Sequence, residues 1–222
     1  MKVALTGGIA CGKSLLSQFL NELGVETLDA DDVVHTLLPD PEERRRIAAE
    51  VFADPEKRKE LEARLHPIVK EKIDTWLSLS PSGSGAQPQF SNSDPSAPLG
   101  TRSARLGRDP TGCDHPQGAV TRLCVKNSVL KIAVIPLLFE AHWEKNFDII
   151  CCVASSRETQ IERMIATRGM SRAEAEARLA AQLPVEEKAR RSHYVIRNDG
   201  TADELRAEAQ KLVTWLHEQK SN

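Results

Sequence analysis

The chain has 222 residues, with 30 Lys and Arg against 32 Asp and Glu and a formal charge of −2 at pH 7. That length suits one α/β core, and the near-neutral balance excludes a global field that would gather nucleic acid or an anionic membrane, so any phosphate binding is local. Five cysteines, scattered at 11, 113, 124, 151 and 152, make no disulfide framework and point to a reducing compartment.

Met1 leads directly into the apolar run Lys2-Val3-Ala4-Leu5, which leaves no room for a signal or transit segment. No stretch approaches membrane-spanning length. A cytoplasmic protein is the expectation.

In chain order, strands are predicted over 2–6, 25–28, 131–135 and 148–153, each followed by or following helical periodicity, the rhythm of a parallel sheet covered by helices. Helices are predicted from Lys13 to Glu22, from near Asp31 under a cap at Asp29, and over 56–77, 156–168, 171–183 and 201–219. Between Leu79 and Thr121 the composition shifts to Ser, Pro, Gly, Asn, Gln and Asp with almost no apolar period. Such a stretch cannot bury enough apolar surface to order itself, so 78–128 reads as a disordered insertion within a single domain spanning 1–222. It is either a solvated excursion or a foreign segment, such as translated intron. Its Cys113, His115 and Cys124 match no zinc spacing.

Gly7-Gly8-Ile9-Ala10-Cys11-Gly12-Lys13-Ser14 satisfies G-x-x-x-x-G-K-[ST] between a strand and a helix, the context this phosphate loop requires. Glycines let the backbone curl with its N–H groups inward, and the helix N-terminus adds partial positive charge. Lys13 would reach the β- and γ-phosphates of ATP, and Ser14 would offer its hydroxyl to Mg²⁺.

At the end of the second strand stand Asp29-Ala30-Asp31-Asp32. Two carboxylates at i and i+2 beside the loop suit phosphoryl transfer, one supporting Mg²⁺ and one accepting a hydroxyl proton. They equally suit an acidic helix cap. A GTPase would need Asn-Lys-x-Asp, which is absent from the chain. Arg157, Arg163, Arg168, Arg172 and Arg178 lie on two successive helices and would close over the spreading phosphate charge, although arginine-rich helices are commonly solvated faces.

With these motifs in place, the chain resembles the dephospho-coenzyme A kinase family. The resemblance rests on Ala4-Leu5-Thr6-Gly7-Gly8-Ile9, Leu61 to Pro67, Ile135-Pro136-Leu137-Leu138-Phe139-Glu140, Gln160-Ile161-Glu162-Arg163, Arg168, Arg178-x-x-x-Gln182 and Val195-Ile196-x-Asn198-x-Gly200, in that order. It implies a three-layer parallel-sheet P-loop kinase with a helical lid and acceptor-side helices. It implies transfer of the γ-phosphoryl of ATP to the ribose 3′-hydroxyl of dephospho-coenzyme A, with Asp31 as base and Arg168 in the lid. It further places His66, Pro136, Leu137 and Glu140 on the acceptor side and Asn198 near the ATP adenine. A small-molecule acceptor, no nucleic acid or membrane partner and a monomer are the expectations.

Three departures stand out. About twenty residues of the family pattern are missing between Asp31 and Arg44. Gly169 follows Arg168 where the family usually has Asp, and Ser192-His193 replaces the usual Ala-Asp before Tyr194. Two other readings stand beside this one: another small-molecule P-loop kinase, for a nucleotide or sugar acceptor, and a nucleotide-binding copy with impaired catalysis.

Overall fold

A computed structural model describes residues 1–38, 40, 42, 45–47, 54–79 and 129–221. The chain divides into two units, 1–80 with 129–222 and 81–128; every described residue belongs to the first. The predicted insertion lies outside the described residues from 80 onward, as do Arg44, Cys113, His115 and Cys124.

Five strands form one parallel sheet. They are β1 (Val3–Gly7), β2 (Glu26–Asp29), β3 (Lys131–Val134), β4 (Ile149–Ala154) and β5 (Tyr194–Arg197), in spatial order β2-β3-β1-β4-β5. Val3, Leu5 and Gly7 of β1 stand opposite Ile149, Cys151 and Val153 of β4. On the other side of β1, Val3 to Leu5 stand opposite Ile132 to Val134 of β3. Every residue of β1 and β4 is buried, the mark of central strands covered on both faces.

The alternation of side chains sorts the core into two layers. Val3, Leu5 and Cys151 pack with Leu16 and Leu20 of α1 (Lys13–Glu22) and with Leu205, Ala209, Leu212 and Leu216 of the last helix, α7 (Ala202–Ser221). Ala4, Ala133 and Ile150 face the opposite side and pack with Ala30 and Val33 of α2 (Ala30–Leu37) and Val69 and Ile73 of α3 (Pro55–Ser78). The three layers expected from the resemblance are present in this first unit. A fully buried Leu16 or Leu20 contributes about 1.5–3 kcal/mol of burial.

Helix starts follow local chemistry. Asp29 caps α2 by accepting the Asp31 N–H at 2.9 Å, and Asp54 caps α3 with Pro55 in the first turn, where its missing N–H costs nothing. Ser156 caps α4 (Arg157–Arg168), and Ser171 with Glu174 forms a capping box on α5 (Arg172–Ala180). α3 runs on through Pro67 to Ser78, so His66-Pro67 does not end a helix. The sequence reading missed three elements: β5, the six-residue α6 (Val185–Arg190) and a 3₁₀ turn at Glu144–Asn146.

Helices α4 and α5 share a small core of Ile161, Met164 and Ala175, against which Ile9, Ala10, Met170 and Leu179 pack. The arginine-bearing pair is thereby fastened to the loop that follows β1. Ile161 is fully buried, and Ile161→Ala would cost about 2–5 kcal/mol and loosen that attachment.

Candidate active site

The segment Gly7–Ser14 joins β1 to α1 at the carboxyl edge of the sheet, beside the place where the strand order reverses, which is where open α/β sheets bind ligands. Two of its glycines are dictated by space. A Cβ on Gly7, at φ 150°, would stand 2.3 Å from the carbonyl oxygen of Val153, and one on Gly12, at φ 89°, would stand 2.2 Å from Asn198 Nδ2. Any larger residue would push β4 or Asn198 away from the loop.

α1 differs from α2 to α5 at its start. Those four are capped by Asp29, Asp54, Ser156 and Ser171, whereas the residue before α1 is Gly12, no side chain caps it, and its first turn holds no acid. Its leading N–H groups and the positive end of its dipole are thus left for an anion. Lys13 Nζ donates to the carbonyls of Gly7 at 3.1 Å and Gly8 at 2.8 Å. Burial lowers the Lys13 pKa, as does neighbouring Lys188, while Cys11, Asp29 and Asp31 raise it.

A cavity of about 630 Å³ opens over this loop. Ile9, Ala10, Gly12, Lys13, Ser14, Asp29, Asp31, Pro136, Arg163, Thr167, Arg168, Gln182, Asn198, Gly200 and Thr201 are among its lining residues. A second cavity of about 270 Å³ is lined by His66, Leu137, Glu140, Ala141, Arg178, Ala181, Ile9 and Gln182. Ile9 and Gln182 belong to both, so the two cavities adjoin. The sequence-predicted residues therefore converge: Lys13, Ser14, Asp31, Arg168, Asn198 and Pro136 on the large cavity, His66, Leu137 and Glu140 on the small one.

Cys11 turns inward and is fully buried. Its Sγ accepts from Gln160 Nε2 of α4, and its carbonyl accepts from Asn198 Nδ2 at 2.8 Å. Gln160 and Asn198 are 2% and 6% exposed. The loop is thus held by α4 on one side and by the end of β5 on the other. Arg163 Nη1 adds donations to the Ala10 carbonyl at 3.4 Å and to Ser155 Oγ at 3.2 Å.

Of the five arginines expected to close over phosphate, Arg163 and Arg168 line the large cavity and Arg178 the small one. Arg172 is instead bound bidentately by Glu158, with contacts of 2.7 and 2.8 Å, and touches Glu176 at 3.2 Å. That pairing fixes α4 to α5 and leaves its charge spent away from either cavity. Arg157 is exposed and lines neither.

Asp29 is pushed up to about 6, first by burial and then by Asp31 and Asp32, against the lowering pull of the Asp31 N–H and of Lys13. Crowded carboxylates facing a phosphate loop are a charge imbalance that a divalent cation would relieve. Ser14 adds a hydroxyl on the same cavity. Among the described residues, no group of three or more His, Cys, Asp and Glu is placed to hold a metal ion.

Sequence reasoning missed two features here. Lys188 of α6 is fully buried and bonded to Glu140, and Thr6 Oγ1 donates to the Pro136 carbonyl at 3.3 Å. The adjacent Glu186-Glu187-Lys188-Ala189-Arg190-Arg191 run reads as a solvated helix face, and only the fold shows which of its charges turns inward.

Comparison with known proteins places the chain in a family. The family model for dephospho-CoA kinase matches residues 1–43 and 119–204. The dephospho-CoA kinase of Synechococcus sp. (strain JA-3-3Ab) is 34% identical, covering 95% of this chain and 90% of that protein. A Thermus thermophilus protein of known crystal structure shares 28% identity and covers 97% of each chain with a TM-score of 0.64. The dephospho-CoA kinase from Campylobacter jejuni, 21% identical with a TM-score of 0.59 over 99% of this chain and 100% of that one, has the same fold. The unmatched interval 44–118 holds most of the stretch whose composition departs from the rest. This chain belongs to the dephospho-CoA kinase family.

Proposed function

We propose that the protein transfers the γ-phosphoryl of ATP to the ribose 3′-hydroxyl of dephospho-CoA, giving CoA and ADP in the last step of CoA biosynthesis. The observation that carries the reading is the junction of the two cavities at Ile9 and Gln182, within a chain of this kinase family. The larger cavity is lined by most of the phosphate loop with Lys13, Arg163 and Arg168; of the loop, the smaller takes only Ile9 into its lining. Two ligands can therefore meet end to end.

In this reading the N–H groups of Gly8 to Ser14 and the start of α1 bind the β- and γ-phosphates of ATP. Lys13, Arg163 and Arg168 neutralise the charge that spreads over the transferring group. Asn198, Gly200 and Thr201 border the nucleoside end. His66, Leu137, Glu140 and Arg178 receive the acceptor, and Pro136 stands at the boundary. Asp31 accepts the proton of the attacking hydroxyl, which leaves the acceptor oxygen as the nucleophile and ADP as the leaving group. Ser14 would hold Mg²⁺ with support from Asp29. When bound, the ion neutralises phosphate charge and orients the donor.

The catalytic step requires that water be kept from the γ-phosphoryl. The attachment of α4 and α5 to Ile9 and Ala10 supplies a cover whose position is tied to the loop. We assign the protein to the cytoplasm as a monomer acting on small molecules alone. Among the described residues no helix is long and apolar enough to cross a membrane.

The test is a panel of acceptors in which ADP release is followed with Mg·ATP and dephospho-CoA, shikimate, gluconate or nucleoside monophosphates. Release that depends on dephospho-CoA supports the assignment. Release that depends on another acceptor would replace it, and ATP binding with no acceptor-dependent release would mark a nucleotide-binding protein without transfer.

A further inference from the structure

Lys188 is the largest fully buried side chain in the described structure and belongs to none of the motifs that define the loop or the acceptor side. A buried ammonium is costly unless its N–H bonds find acceptors. Here Nζ lies 2.7 Å from Glu140 Oε1 and donates to the Pro136 carbonyl at 2.9 Å. The same carbonyl takes a second donation from Thr6 Oγ1, the residue that precedes the phosphate loop. Glu140 Oε1 also accepts the Leu183 N–H at 3.1 Å, while Glu140 Oε2 is buried with no partner.

These contacts converge on the segment Pro136–Glu140, which contributes Pro136 to the large cavity and Leu137 and Glu140 to the small one. The segment follows β3 as turns outside any helix or strand, with the Leu137, Leu138 and Phe139 carbonyls accepting from the Ala141, Trp143 and His142 N–H groups. Those bonds shape the turn locally, and both its ends are tied to the rest of the fold by one side chain: the carbonyl at its start and the carboxylate at its close. With no exposed surface, Lys188 touches neither cavity. It must act through the residues it holds.

We infer that Lys188 is a positioning residue that sets the acceptor wall, Pro136 to Glu140, against the phosphate loop. The inference rests on the proposed reading for the identity of the acceptor but not for the contacts themselves. Lys188 holds Glu140 by Oε1 at the wall of the small cavity, and with Thr6 it fixes the height of Pro136 beside Lys13.

The test compares the full-length wild type, Lys188→Met and Glu140→Gln/Lys188→Met, the double variant leaving no lone buried charge. Hydrogen–deuterium exchange reads the wall without reference to any acceptor: peptides covering 136–141 should exchange at least tenfold faster in Lys188→Met, with peptides covering 7–14 unchanged. Kinetics read the consequence: the KM for dephospho-CoA should rise tenfold or more while the dissociation constant of ATP stays within threefold. If Lys188→Met does not fold, the double variant must show the same selective exchange. Equal exchange at 136–141 in the folded variants and wild type, or equal acceleration at 7–14 and 136–141, overturns the inference. A wild type with no dephospho-CoA turnover would sink the proposed function while the exchange experiment still decides the role of Lys188.

Discussion

Asn198, at the end of β5, donates from Nδ2 to the carbonyl of Cys11 at 2.8 Å across a separation of 187 residues. The bond fastens the last strand to the phosphate loop, and both partners are buried. Asn198→Ala leaves that carbonyl without its donor, so the protein should lose about 1–3 kcal/mol of stability and bind ATP more weakly. Thermal unfolding with and without nucleotide checks both; a variant with the wild-type midpoint and wild-type affinity would show that the loop holds itself.

Gly12 is opposed by the same side chain. Alanine there must adopt φ 89° and place its Cβ 2.2 Å from Asn198 Nδ2, so the loop or Asn198 must shift. Gly12→Ala should reduce ATP affinity more than tenfold, read by titration of a fluorescent nucleotide, while circular dichroism keeps the helix content of the wild type.

Lys13 and Asp31 line one cavity but are assigned different work. Lys13→Ala removes a cation that the transferring group needs and should lower turnover by about two to three orders of magnitude. Asp31→Asn should leave the ATP dissociation constant within a few-fold and lower transfer by about 10²–10⁴. Single-turnover kinetics with separately measured ATP binding distinguishes them. An Asp31→Asn enzyme of normal rate would require another base.

Asp29 makes the unliganded protein sensitive to pH. Its folded pKa of about 6 lies above the ordinary value of 3.8, so between those values the folded state holds more proton than the unfolded one. Stability must then fall as pH rises from about 4 through 6, and the deficit persists above. Asp29→Asn keeps the oxygen that caps α2 while removing the charge. Without nucleotide it should melt higher than wild type at pH 8, with the gap closing towards pH 4; a gap independent of pH would contradict the assignment.

The loop from Gly7 to Ser14 was legible in sequence because its motif lies in consecutive residues, and the Asp29 cap because an Asp just before a helical run is a local signal. The central strands β1 and β4 were legible because burial on both faces makes them almost continuously apolar, with Thr6 the one polar side chain. β5 was not: Tyr-Val-Ile-Arg buries only Ile196 fully and follows a His whose Nδ1 accepts the Ile150 N–H at 3.0 Å, a bond that no sequence pattern encodes. α6 is too short for helical periodicity to register. The arginine helices show the limit most clearly, since Arg163 and Arg172 look alike in sequence and only the fold sends one to the loop and the other to Glu158.

The central claim is tested most directly by incubating the purified chain with Mg·ATP and dephospho-CoA and following ADP release together with the mass and ³¹P spectrum of the acceptor. The account predicts stoichiometric ADP and a product heavier by one phosphoryl group, carried as a monoester on the ribose 3′-oxygen. ADP release that is the same with and without dephospho-CoA, from folded protein that binds ATP, would contradict it.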